Sequence, residues 1–256
     1  MISKILFFSL VPLSLFSSDF NFKELNKNCL IKHNLVSCMK LGDNYKNTDM
    51  KKALKYYNEA KKMNSAKAYY EIGKYYIKQN SKQQFKYGLS HLEKAAKLHY
   101  YPAAELYAKI YLNGNKFVRK SPDKVYKILK PFFGFRFFPN SGKKMLADVV
   151  LGKYGGKFKK HPDLAMAKLL YFKIVNSSSN FKNDDPKIIS DTTYELVDYI
   201  MNNKYGYSRK SKDLAEKLLN RLASNGDERA IKMIDDYGLE LYVIGARKKV
   251  FEEVKF

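Results

Sequence analysis

The chain has 256 residues, 45% of them hydrophobic, with 21 Tyr and 17 Phe but no Trp. That composition can bury a sizeable core, which excludes a disordered protein, and the length suits one or two ordinary domains or one continuous repeat array. Lys+Arg number 48 against 25 Asp+Glu, a formal net charge of +23. The field favours an acidic partner, whether nucleic acid, anionic lipid, anionic glycan or acidic protein, while solvated helix faces account for the same charge.

Met1-Ile2-Ser3-Lys4 is a short basic start, Ile5 to Phe16 is mostly apolar, and Ser17-Ser18 supplies small residues. This three-part pattern predicts a secretory signal peptide over residues 1–18, with a buried first helix as the alternative. The apolar run falls short of the roughly 20 residues a membrane span needs, and nothing later reads as one. Export to a periplasm or to the medium makes nucleic acid a poor partner and permits disulfides.

From there the chain repeats. Helical copies begin at Ala53, Gly88, Val125, Ala165 and Ala215, spaced 35, 37, 40 and 50 residues apart. In each, a small or branched residue comes first. In most copies apolar residues follow three and four positions on, and usually another apolar or small one follows at seven, which places them on one helical face. A preceding helix carries a large residue, then a small one, then an apolar or aromatic residue three further on. The pairs are Leu41-Gly42, Ile72-Gly73, Tyr107-Ala108, Leu146-Ala147 and Leu196-Val197. A small residue there lets two helices approach closely, and Val197 strains the rule.

The links also recur. Arg119 to Asp123, Lys159 to Asp163 and Arg209 to Asp213 sit just before second helices. Pro122 and Pro162 suit a first helical position, the aspartates suit the first turn, and Ser121 and Ser211 are candidate caps. Gly114, Gly155, Gly156 and Gly206 lie in the turns before. The paired basic residues are either an anion site at a helix start or exposed loop lysines. The polar, turn-rich stretch at about 176–192 reads as a surface insertion.

The pattern resembles the Sel-like repeat (SLR) family, a relative of the tetratricopeptide repeat. Cys38 to Tyr45 looks like its first helix, Asp49 to Ala53 and His91 to Ala96 like its second, and Ala104 to Gly114 follows it well. Ala223 to Ala230 resembles the link to a further unit. The resemblance covers most of residues 25–235, with departures in the turns. It implies an all-α solenoid of about five helical hairpins over residues 19–235, and the chain after it reads as a C-terminal capping helix over 236–256. It also implies a concave face for proteins or peptides and no shared catalytic residues.

Cys29 and Cys38 are the only cysteines. They either staple the first hairpin or remain two buried thiols. Their spacing resembles that in the secreted cysteine-rich branch of the family, which implies the staple. No metal, cofactor or catalytic set is recognised: His33, His91, His99 and His161 lack ligand spacing, and no nucleophile elbow or phosphate loop appears. Pro131 to Pro139 holds five Phe in nine residues. These either fill the seam between units or form an exposed contact for a partner or a membrane surface.

The expected function is an exported scaffold that binds a protein or peptide, acidic in character, and is not an enzyme. The candidate contact residues are Tyr69, Tyr70, Tyr107, Tyr111, Phe135, Phe137 and Phe138. The alternative is a cell-wall-associated regulator that binds anionic glycan or a wall enzyme. Steep weakening by salt would mark that second reading.

Overall fold

The computed structural model of the protein describes residues 13–176, 186–202 and 209–241. Among these, twelve α-helices account for the fold and there is no β-strand. Residues 1–12 of the expected leader lie outside the described residues, and Leu13 to Ser18 form the start of a helix. The chain forms two compact units, Met1–Tyr107 and Ala108–Phe256.

The first unit contains α1 (Leu13–Leu30), α2 (Leu35–Tyr45), α3 (Met50–Lys62), α4 (Ala66–Tyr76), α5 (Lys82–Lys97) and the start of α6 (Tyr101–Asn113). From α1 to α5, each helix packs on the next. The predicted faces are the ones buried. Leu41, Ala53, Tyr57, Ala60 and Ile72 form one apolar cluster with Cys29 and Cys38. Burying a Leu or Ile side chain contributes about 1.5–3 kcal/mol, so this cluster dominates the local energetics.

The expected role of the small residues holds, in two forms. A Cβ on Gly73 would lie 2.9 Å from the carbonyl oxygen of Gly88, so there α4 and α5 touch backbone to backbone. At Gly42 the space is taken by a side chain instead: an added Cβ would stand 2.6 Å from Cδ1 of Tyr57.

Four of the links from a second helix to the next first helix share one device. His33, Asn64, His99 and Gly226 each take a positive φ and precede Asn34, Ser65, Tyr100 and Asp227. The backbone N–H of Ser65, Tyr100 and Asp227 returns to the carbonyl five residues back, at 3.2, 3.0 and 3.3 Å. This closes the helix end, as in a Schellman turn. The side chains of Asn34, Ser65 and Asp227 then cap the following helix at its third residue.

The second unit contains the rest of α6, then α7 (Pro122–Leu129), α8 (Asn140–Val150), α9 (Leu164–Val175), α10 (Pro186–Met201), α11 (Arg209–Ala223) and α12 (Glu228–Asp236). Short 3-10 turns cover Lys130–Phe132 and Gly156–Phe158. Each helix from α7 on packs on the next, and α8 also packs on α10.

Four expectations are corrected here. The fourth copy is in register at Ala167, which is buried, whereas Ala165 is exposed. Helix α10 starts at Pro186, so residues 186–192 are helix and not insertion; Thr192 is fully buried. Pro122 does open α7, but Pro162 lies outside α9, where Asp163 is the cap and accepts from the Met166 N–H at 2.9 Å. Ser121 stands at the cap position of α7 without a side-chain cap bond, and Ser211 lies inside α11. Gly114, Gly155 and Gly156 take positive φ as expected, while Gly206 lies outside the described residues.

Candidate partner-binding site

Helices α4 and α5 carry a run of tilted and edge-to-face rings. Tyr69 and Tyr76 are two turns apart on α4, and Tyr87 and His91 are one turn apart on α5, so each pair shares a helix face. The Tyr87 and His91 rings lie 4.2 Å apart between centroids, Tyr69 and His91 5.6 Å, and Tyr76 and Tyr87 4.8 Å edge to face. Tyr75 meets Tyr76 at 5.1 Å and continues the ladder. Tyr69 and Tyr76 are half-buried and Tyr87 is 43% exposed, so the ladder is anchored below and wet above.

His91 locks the ladder. It is buried, and its Nδ1 donates to the Tyr87 carbonyl at 2.9 Å. Burial holds its pKa below the ordinary histidine value. The carbonyl bond opposes this, and the nearby Lys61 charge adds to it. The imidazole is therefore held neutral, as an apolar-faced ring among phenols.

Of the other tyrosine candidates, Tyr70 turns to Tyr100 at 5.3 Å, with Lys74 Nζ 5.7 Å from its ring. Tyr107 and Tyr111 are buried and offer no surface to a partner, which corrects their place among the contact residues. The Tyr111 hydroxyl accepts from Lys124 Nζ at 3.0 Å. The sequence reading missed Tyr76, Tyr87 and His91. The seven-residue step from Tyr69 to Tyr76 was the available signal.

The phenylalanine stretch resolves into both expected roles. Phe132 and Phe138 are buried and face each other at 6.2 Å, so Phe138 is a core anchor and not a contact residue. Between these anchors the chain turns: the Phe135 N–H donates to the Phe132 carbonyl at 2.9 Å and the Phe138 N–H to the Phe135 carbonyl at 3.2 Å. The turn lifts Phe135 to 48% and Phe137 to 70% exposure. Arg136 lies 5.7 Å from the Phe137 ring, and Lys173 Nζ of α9 lies 4.7 Å from the Phe133 ring.

Two polar knots hold the helices that present these surfaces. In the first, Asp43 accepts from Tyr57 at 2.9 Å, Lys67 at 2.6 Å and Lys46 at 3.4 Å. Burial raises the Asp43 pKa, but these bonds outweigh it and hold the carboxyl below the usual range. In the second, the fully buried Tyr171 shares its one proton between Asp148 at 3.0 Å and Glu195 at 2.7 Å. Lys144 reaches Asp148 at 2.6 Å and Glu195 at 3.0 Å, and Lys153 reaches them at 2.9 and 2.5 Å. For Glu195, burial raises the pKa, and the bonds from Lys153, Tyr171 and Lys144 overcome it and lower it. For Lys153, burial lowers the pKa, and the two carboxylates overcome it and raise it. Each charge faces another member of its knot, so the chemistry is that of a clasp between helices.

Cys29 and Cys38 are buried at disulfide distance, with Cα atoms 4.7 Å apart, and so can staple the end of α1 to α2. No group of His, Cys, Asp and Glu suited to a metal ion occurs among the described residues. No helix among them is long and apolar enough to cross a membrane.

No protein-family model matches the chain, and no curated protein matches it in sequence. Among solved structures, the chain is similar to a Sel1 repeat protein from Oxalobacter formigenes, with a TM-score of 0.50 over 90% of each chain at 15% identity. The fold is thus an all-α helical repeat of the Sel-like type, as the sequence motifs implied.

Proposed function

We propose that the protein is an exported scaffold that binds a protein or peptide partner and does no chemistry on it. The observation that carries this reading is the tyrosine ladder on α4 and α5. Tyrosine supplies a large contact area at low entropic cost, with a hydroxyl for hydrogen bonding, and is enriched where proteins recognise proteins. Packing against the locked His91 fixes the rings before a partner arrives, which lowers the ordering cost of binding.

The leader over residues 1–18, the array over 19–235 and the closing segment over 236–256 belong to the same proposal, as does kinship with the secreted cysteine-rich branch. The Cys29–Cys38 pair suits an oxidising compartment. The Tyr237 hydroxyl, which donates to Asp198 at 3.0 Å, supports a closing role for the segment after α12.

The test is the affinity of Tyr69→Ala, Tyr76→Ala and Tyr87→Ala for the partner recovered by in-cell crosslinking. A ladder hot spot predicts a loss of about 2 kcal/mol, roughly thirtyfold, for at least one variant with helicity unchanged. Full affinity in all three would defeat the reading. N-terminal sequencing of the protein outside the cytoplasm tests export. A start near residue 18 is expected, and a chain retained inside with Met1 intact would oppose it.

A further inference from the structure

We propose that the Phe135–Phe137 tip docks the second unit on an anionic lipid bilayer. The tip is a turn pinned at both ends by the buried Phe132 and Phe138; the Phe135 ring lies 5.9 Å from that of Phe132 and keeps 48% exposure, and Phe137 keeps 70%. Phenylalanine has no polar edge, and two such rings in water are unfavourable unless something covers them.

The cover must be apolar beneath and negative above. Of the six cations between Lys124 and Ala147, Lys143 is buried and Lys144 is held by Asp148 and Glu195, and Lys124, Lys127, Lys130 and Arg136 are exposed. Arg136 lies beside the Phe137 ring, Lys173 over the Phe133 ring, and Lys130 is exposed where the turn begins. Rings that project at a cation-ringed turn fit the boundary between acyl chains and anionic headgroups, where apolar burial and charge attraction add. Apolar rings beside exposed cations favour a bilayer surface, and an acidic protein is the other outcome of the test. The surface is separate from the tyrosine ladder and does not depend on it.

The absence of Trp from the chain gives a local test. The full chain carrying Phe137→Trp is mixed with phosphatidylcholine vesicles, with and without phosphatidylglycerol. Residues 1–18 are apolar as well, so the readout must come from the tip itself. The indole emission should shift to the blue with anionic vesicles only, be quenched by brominated acyl chains, and revert in high salt. Tyr87→Trp in the first unit should stay unshifted. Separately, Phe135→Ser added to the Phe137→Trp chain should cut the emission shift at a given anionic lipid concentration, at unchanged helicity, because it removes part of the apolar area that inserts. An unshifted Phe137→Trp, or a shift that Phe135→Ser leaves undiminished, overturns the proposal. So does a Phe137→Trp shift induced by polyglutamate and not by vesicles, which would assign the tip to an acidic protein.

Discussion

Asp43 accepts the Tyr57 hydroxyl at 2.9 Å, and the Tyr57 ring reaches it across the bare backbone of Gly42. The small residue and the acid that follows it therefore act as one unit: the first admits the ring, the second holds its hydroxyl. Gly42→Ala should destabilise the first unit by about 1–3 kcal/mol, because the ring is fully buried and must shift. Chemical denaturation would show this as a lower midpoint. An unchanged midpoint would mean that the ring moves freely.

The same pairing recurs at Asp148, which follows Ala147 and accepts from Tyr171 at 3.0 Å. Tyr171→Phe should cost about 1–3 kcal/mol, since it removes a buried donor to charged acceptors. Glu195 in that knot sets a pH dependence. Its folded pKa lies below the unfolded value of about 4.3, so the unfolded chain takes up the proton first. The stabilisation is present above that value and fades as pH falls through the lowered one. Denaturation midpoints from roughly pH 6 to 3 should fall less steeply in Glu195→Gln than in the parent. Identical acid slopes would contradict the assignment.

His91 makes the opposite kind of demand, for neutrality. Its folded pKa is lowered mainly by burial, so its ring contribution is present above about pH 6.5 and is lost as pH falls through the lowered folded value. The ring titration followed by NMR should have its midpoint below about 6.5. A midpoint at or above that would place the ring in water and dismantle the ladder.

Reduction of the Cys29–Cys38 pair should cost about 3 kcal/mol for so short a loop, read as a lower denaturation midpoint of the first unit. Thiol labelling of the folded, unreduced protein should find no free thiol. Two labelled thiols would show that the buried pair is not bonded.

The helices and their small-residue contacts were legible because they obey a local period. Gly73 and Gly88 could be named from spacing alone, and the backbones touch there. The register of α9 was not legible. Leu164 to Val175 is apolar nearly all round, and Ala165 and Ala167 flank one methionine, so no face stands out. The knots were missed for a different reason. Asp148 meets Tyr171 across 23 residues and Glu195 lies another 24 on, with loops of unequal length between. The legible trace was the acid placed directly after the small-residue position, at Asp43, Asp148 and Asp198, each of which accepts a tyrosine hydroxyl. The phenylalanine stretch could not be divided from sequence, because Phe132 and Phe138 meet across an irregular turn that no helical or strand period marks.

The scaffold reading is tested most directly by crosslinking in the native cell with a photoreactive phenylalanine analogue at position 76 or 87, against position 154, an exposed tyrosine of the second unit. The account predicts one discrete protein adduct from positions 76 and 87 and none of that species from 154. The same adduct from 154, with nothing from 76 or 87, would contradict it.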